Sequence, residues 1–229
     1  MKYYYDLHIH SDLSPCGHKD MTPNNIVNMA YIKGLNIISV TDHNSTKNVK
    51  ALQEVAANIG LEVIPGIEVT TREEVHVLCY FRNFSDAEAF GNIVYESIPN
   101  IKNNKQIFGE QNIYNSKDEI IGQIEKLLIN ASKYTLEEIN KIVYKHNGII
   151  VPAHINKKSN SILGILGFIP FDLEIDFIEI YQKAHIDEKL INKYKVLRNS
   201  DAHQLIDISE SVNSIELNSI FEIYEYLKL

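Results

Sequence analysis

Six short motifs in this chain carry residues able to ligate metal, each at or near the end of an apolar run. They are Asp6-Leu7-His8-Ile9-His10, Thr41-Asp42-His43, Gly66-Ile67-Glu68, Val75-His76-Val77, Pro152-Ala153-His154 and Ser200-Asp201-Ala202-His203. Seven of the nine histidines fall in these motifs or in a loop just after a strand. A single histidine is usually a surface or satisfied core residue; the clustering argues against that for the set. His8 and His10 alternate along a strand, so both point one way and one cation can take both. Alone, that pair is equally a half-buried polar face. Buried strands seldom finish in two ionisable residues without a partner for them, as Thr41-Asp42-His43 does. His43 is the better ligand there, and Asp42 suits the orienting of a ligand imidazole. Glu68 has two oxygens with about four lone-pair sites, enough to bridge two cations, with a salt bridge as its ordinary alternative. His76 stands among Val and Leu, where a core histidine is the competing reading. His154 repeats the strand-end position, and Asp201 and His203 repeat the alternation. His18 lies in the turn-rich loop Ser14-Pro15-Cys16-Gly17-His18-Lys19-Asp20, where Cys16 and Asp20 compete for its role. His146 is assigned to a helix end and His185 to the surface.

Imidazole and carboxylate donors without a thiolate motif suit Zn, Mn or Fe. His8, His10, His18, His43, Glu68, His76, His154, Asp201 and His203 are too many for one cation. At about three to four protein ligands each, they suffice for about three metals with open water positions. Lys157 and Lys158 follow His154 and are candidate phosphate contacts, Lys158 the preferred one, against a solvated surface pair.

Strand and helix signals alternate along the chain that must position these groups. Strands are expected at Tyr3 to His10, Asn36 to Thr41, Leu61 to Ile64, Val75 to Phe81, Ile149 to Val151, Phe177 to Tyr181, Lys195 to Arg198 and Val212 to Leu217. Thr22-Pro23 opens a first helix that Gly34 ends, and a second runs from about Thr46 to Asn58. Ser85 caps a third. A capping box at Thr135 opens another that ends at Gly148, and Ser219 to Leu229 closes the chain. Ser116 to Asn130 reads as an amphipathic helix, and the polar segment of about 100–116 as a surface excursion or lid. The alternation predicts a parallel α/β sheet or barrel with the site at the C-terminal strand ends, where these ligands fall.

At 229 residues the length fits one domain, 1–229. The net charge of -8 argues against long nucleic acid as a partner, but not against a small anionic substrate. Two cysteines are too few for a disulfide framework and fit a cytoplasmic protein. No stretch reaches the ~20 apolar residues of a membrane span. Oligomeric state is not legible.

These motifs, in this order, resemble the PHP (polymerase and histidinol phosphatase) family over nearly the whole chain. The resemblance implies a distorted seven-stranded (β/α) TIM-like barrel with a trinuclear site for phosphoester hydrolysis. It implies that His8, His10, Glu68 and Asp201 hold one metal. Glu68 bridges to a second, completed by His76 and His154; His18, His43 and His203 hold a third. No polymerase, exonuclease or repeat domain accompanies these motifs. The expectation is a stand-alone phosphoesterase that hydrolyses a small phosphomonoester with a metal-activated water and no side-chain nucleophile. The alternatives are a nucleotidase or exonuclease acting on short oligonucleotides or other phosphodiesters, and a non-catalytic metal-binding barrel.

Overall fold

The computed structural model describes every residue except 182–185, 187 and 229, so the expectation for His185 lies outside the described residues. In chain order the elements are β1 (Lys2–Ile9), α1 (Pro23–Ile32), β2 (Ile37–Val40), α2 (Val49–Ala56), β3 (Glu62–Val63), β4 (Gly66–Thr70), β5 (His76–Phe81) and α3 (Phe84–Ser97). Then follow α4 (Lys105–Phe108), β6 (Asn112–Tyr114), β7 (Ile120–Gln123), α5 (Leu136–Lys145), β8 (Gly148–Pro152), α6 (Ile162–Leu166), β9 (Phe177–Glu179), α7 (Glu188–Ile191), β10 (Lys195–Leu197), β11 (Ser214–Glu216) and α8 (Ile223–Lys228).

The fold is mixed α/β. β1, β2 and β3 pair in parallel, with β11 antiparallel on the other edge of β1. β9 and β10 are parallel. β4, β5 and β8 form an antiparallel sheet, which the strand–helix alternation does not predict. For β4 and β5 the cause is local: Thr71 to Val75 is a tight turn with Glu74 at φ 65, too short for anything but a hairpin. β4 itself, rich in β-branched residues, places Glu68 inside a strand and not after one. Single bridges, His43 with Glu68 and Ile9 with Ala202, join the sheets.

The expected helix over Ser116 to Asn130 is instead a β6–β7 hairpin. Turn chemistry overrides the amphipathic pattern. Asn115 Oδ1 accepts from the backbone N–H of Lys117 and Glu119, and Asp118 sits at φ 59. Asp118 then reaches α1, accepting from Thr22 Oγ1 and the Asn24 N–H. The first turn of α1 is thus capped from the hairpin, not by Thr22. The 100–116 segment is ordered over the loop after β1: Asn112 Nδ2 and Tyr114 OH both donate to Asp12 Oδ2 at 2.6 Å. The Thr135 capping box is formed as the sequence requires.

β1 is buried on both faces. Leu7 and Ile9 are fully buried in separate apolar clusters, each worth roughly 1.5–3 kcal/mol. His8 and His10, also fully buried, turn the other way. No described helix is long and apolar enough to cross a membrane.

Candidate metal centre

Glu68 is the hub. Its carboxylate is 1% exposed and lies 2.9 Å from His43 Nδ1, 3.0 Å from His76 Nδ1, 3.3 Å from His154 Nε2, 3.4 Å from His8 Nε2 and 3.5 Å from His10 Nε2. Both of its oxygens and His43 Nδ1 are nevertheless buried without a hydrogen-bond partner, since these contacts lack hydrogen-bond geometry. Donor atoms that converge but do not bond one another fit a cation-binding role. Asp201 Oδ1 stands 3.2 Å from both His8 Nε2 and His10 Nε2. Three sets of donor atoms lie close enough to share an ion: His8, His10 and Asp201; His43, Glu68 and His76; and His10, Cys16, His43 and His203.

Hydrogen bonds to groups outside the donor cluster's centre hold three of these imidazoles in one tautomer. His8 Nδ1 donates to Glu179, 3.0 Å from each oxygen, which turns the Nε2 lone pair to the centre. Ser14 Oγ spends its one proton on Asp42 Oδ1 at 2.7 Å, so it accepts from His10 Nδ1 at 3.0 Å. Asp42 thereby orients an imidazole through Ser14. His203 Nδ1 donates to the Asp201 carbonyl at 2.8 Å. Asp6 accepts from Ser200 and Ser209 N–H groups and ties down the segment carrying Asp201. His154 (φ 30) and Asp201 (φ 54) occupy left-handed backbone, a strained placement that functional groups sustain when the surroundings enforce it.

The electrostatics are those of closely set opposite charges. For His8, burial opposes protonation, but Glu179, Asp201 and Glu68 together raise its pKa well above the ordinary value. For His43, Glu68 and Cys16 likewise outweigh burial. Burial, with His203 and His43 nearby, pushes His10 well down. Burial opposes ionisation of Glu68, yet His76, His8 and His43 hold it well below the usual carboxylate range. Cys16 reaches solvent at the loop surface while its sulfur faces the histidines. Desolvation works against its thiolate, but His43 and His203 bring its pKa down to about 6.

The structure brings together His8, His10, His43, Glu68, His76, His154, Asp201 and His203. His18 is turned outward, its side chain 49% exposed and 3.4 Å from Asp20; Cys16 occupies the inward position of that loop. His146 ends α5 and bonds the Ile142 carbonyl. Lys157 pairs with Asp201 Oδ2 and covers the Tyr181 ring at 4.8 Å. Lys158, the preferred phosphate contact by sequence, is exposed and does not line the cleft, because Lys157 takes the inward position directly after the turn at His154. Sequence reading missed Glu179, 2% exposed, which also accepts from Asn199 Nδ2 and the His154 N–H. The signal was present: a lone carboxylate inside Phe177-Ile178-Glu179-Ile180.

A cleft of about 170 Å³ opens over His43, Glu68, His76, His154, Asp201 and His203. It shares Lys157, Asp201 and His203 with a groove of about 670 Å³ that extends past Tyr181 and Asn199 to Lys33.

The PHP domain pattern matches residues 6–215, and the chain belongs to the PHP family. A 5'-3' exoribonuclease of Haemophilus influenzae is 31% identical over 77 residues, covering 32% of this chain and 27% of that protein. An uncharacterized protein of Methanocaldococcus jannaschii is 24% identical over 190 residues, 80% of this chain and 83% of its own length. In fold, the lesion-specific endonuclease PfuEndoQ from Pyrococcus furiosus is similar with a TM-score of 0.75 and 24% identity, over 100% of this chain and 56% of that one. The chain therefore spans about a quarter of the exoribonuclease and about half of the endonuclease.

Proposed function

We propose that this chain is a metal-dependent phosphoesterase, and that one observation carries the reading: a fully buried carboxylate, Glu68, among five imidazoles. A charge so placed is costly unless cations share it. His8, His10, Glu68 and Asp201 would hold one metal, Glu68 with His76 and His154 a second, and His43 with His203 a third. When bound, such cations lower the pKa of water and offset charge on a phosphoryl group. The chain's own residues do the rest. Glu179, Ser14 and the Asp201 carbonyl fix the histidine lone pairs, and Lys157 stands at the cleft mouth as a phosphate contact. In the finer reading of the fold, β1, β2, β4, β5, β8, β9 and β10 make a distorted seven-stranded (β/α) barrel within a single domain, 1–229. The bridges between sheets support this. Both cysteines are free, which suits a cytoplasmic protein.

A small phosphomonoester is the preferred substrate, since the small cleft suits a phosphate and the adjoining groove its alcohol. The likeness to the exoribonuclease favours a second reading, a phosphodiester of a short nucleic acid. Metal analysis after loading with Mn or Zn, and turnover of sugar phosphates, mononucleotides and short RNAs, tests both. More than one metal per chain is expected. Glu68→Gln should abolish turnover of any substrate found and His146→Ala should not; equal activity in both folded variants overturns the assignment.

A further inference from the structure

We infer that Cys16 supplies a thiolate ligand to the metal held by His43 and His203, making this one of the cation positions a soft-donor site. The inference rests on the reading of the centre as metal-binding. Four donor atoms, from His10, Cys16, His43 and His203, lie within 4.8 Å of one another. His10 is committed elsewhere. Its Nδ1 is bonded to Ser14, and its Nε2 lies 3.1 Å from His8 Nε2 and 3.2 Å from Asp201 Oδ1. Cys16, His43 and His203 are left to share an ion, three protein donors with a place for water, as catalytic sites commonly have. His43, 6% exposed, sits in both groups, this one and that of Glu68 and His76: its Nδ1 faces Glu68 Oε2 at 2.9 Å, which leaves its other ring nitrogen for the ion shared with Cys16 and His203.

The loop geometry makes Cys16 the inward residue and leaves His18 out. Ser11 and Ser14 hydroxyls both donate to Asp42, and the Ser14 N–H bonds the Ser11 carbonyl. The chain folds back so tightly that a Cβ at position 17 would lie 2.1 Å from the Ser11 carbonyl oxygen; only glycine fits after Cys16. On the outer side Gly109, at φ +81, packs against the Pro15 carbonyl. The His18 N–H is then pinned to the His203 carbonyl at 2.9 Å, and its side chain leaves toward Asp20. Thiolate donors select zinc over Mn or Mg, which prefer oxygen. One site of the centre should therefore differ in metal preference from the Glu68-bridged pair.

The test uses cobalt as a spectroscopic probe on the chelated, otherwise intact protein. Cobalt should produce visible ligand-field bands and, in addition, a near-ultraviolet thiolate-to-cobalt charge-transfer band. Cys16→Ser should lose the charge-transfer band and keep the visible ones, while Cys79→Ser and His18→Ala should keep both. Visible bands without the charge-transfer band in the parent, or persistence of that band in Cys16→Ser, overturns the inference and leaves the metal centre standing. No cobalt bands of either kind overturns the metal reading itself. A second measurement needs no variant. Zinc should slow iodoacetamide alkylation of Cys16, mapped by peptide mass, by at least about tenfold, and magnesium should not. Equal alkylation with and without zinc also overturns it.

Discussion

Glu179→Gln is the most revealing perturbation, because it changes a residue that touches two predicted ligands and no cation. Glu179 accepts from His8 Nδ1 at 3.0 Å, from Asn199 Nδ2 at 2.7 Å and from the His154 N–H at 2.8 Å. Glutamine fills the same space, so packing is kept. It offers one acceptor oxygen where three donors now converge, and its amide N–H₂ must face one of them. One outcome is a buried donor left unpaired, at about 1–3 kcal/mol. The other is a His8 tautomer that places its proton on Nε2, pointing at the centre. Loss of such an orienting partner typically weakens a metal about 10–100-fold, or roughly 1.4–2.7 kcal/mol. Zinc titration of the chelated protein against a competing chromophoric chelator measures the affinity, and urea unfolding without metal measures the fold. One metal should weaken by that factor while the protein remains folded. If Glu179→Gln binds every metal within about twofold of the parent, the contact between Glu179 and His8 is structural only and the orienting argument fails.

Three further outcomes are expected. Lys157→Ala should lower kcat/KM for a phosphorylated substrate by about tenfold, roughly 1.4 kcal/mol, with Lys158→Ala unchanged; equal losses in steady-state kinetics would remove the distinction drawn from the Asp201 contact. Zinc affinity should rise with pH, because His8 and His43 have raised pKa values and must surrender protons that the metal replaces. Each proton released contributes up to about tenfold per pH unit below the raised values, and affinities at successive pH values check the slope. In the metal-free protein, Asp201→Gly should unfold at higher urea than Asp201→Ala, by about 1–2 kcal/mol, since only glycine adopts a left-handed backbone without cost.

Eight of the residues that converge at the candidate centre were legible without coordinates, because the signals that worked are local; His18 was misplaced. A strand alternates its side chains, so His8 and His10 must share a side, and an apolar run that stops at His43 or His154 marks a strand end by composition alone. The capping box at Thr135 lies within four residues and forms as written. What the sequence could not decide depends on partners far along the chain. Glu179 meets His8 across 171 residues, so nothing near either one announces the pair. Ser116 to Asn130 carries a helical pattern, yet Asn115 and Asp118 close a turn whose carboxylate is anchored 94 residues away at Asn24. Whether His18 or Cys16 faces the centre turns on a Cβ clash at Gly17 and on the His203 carbonyl, neither of which spacing within the loop can express. Residue type and period choose the donors; only the packing of distant segments chooses which of their atoms turn inward.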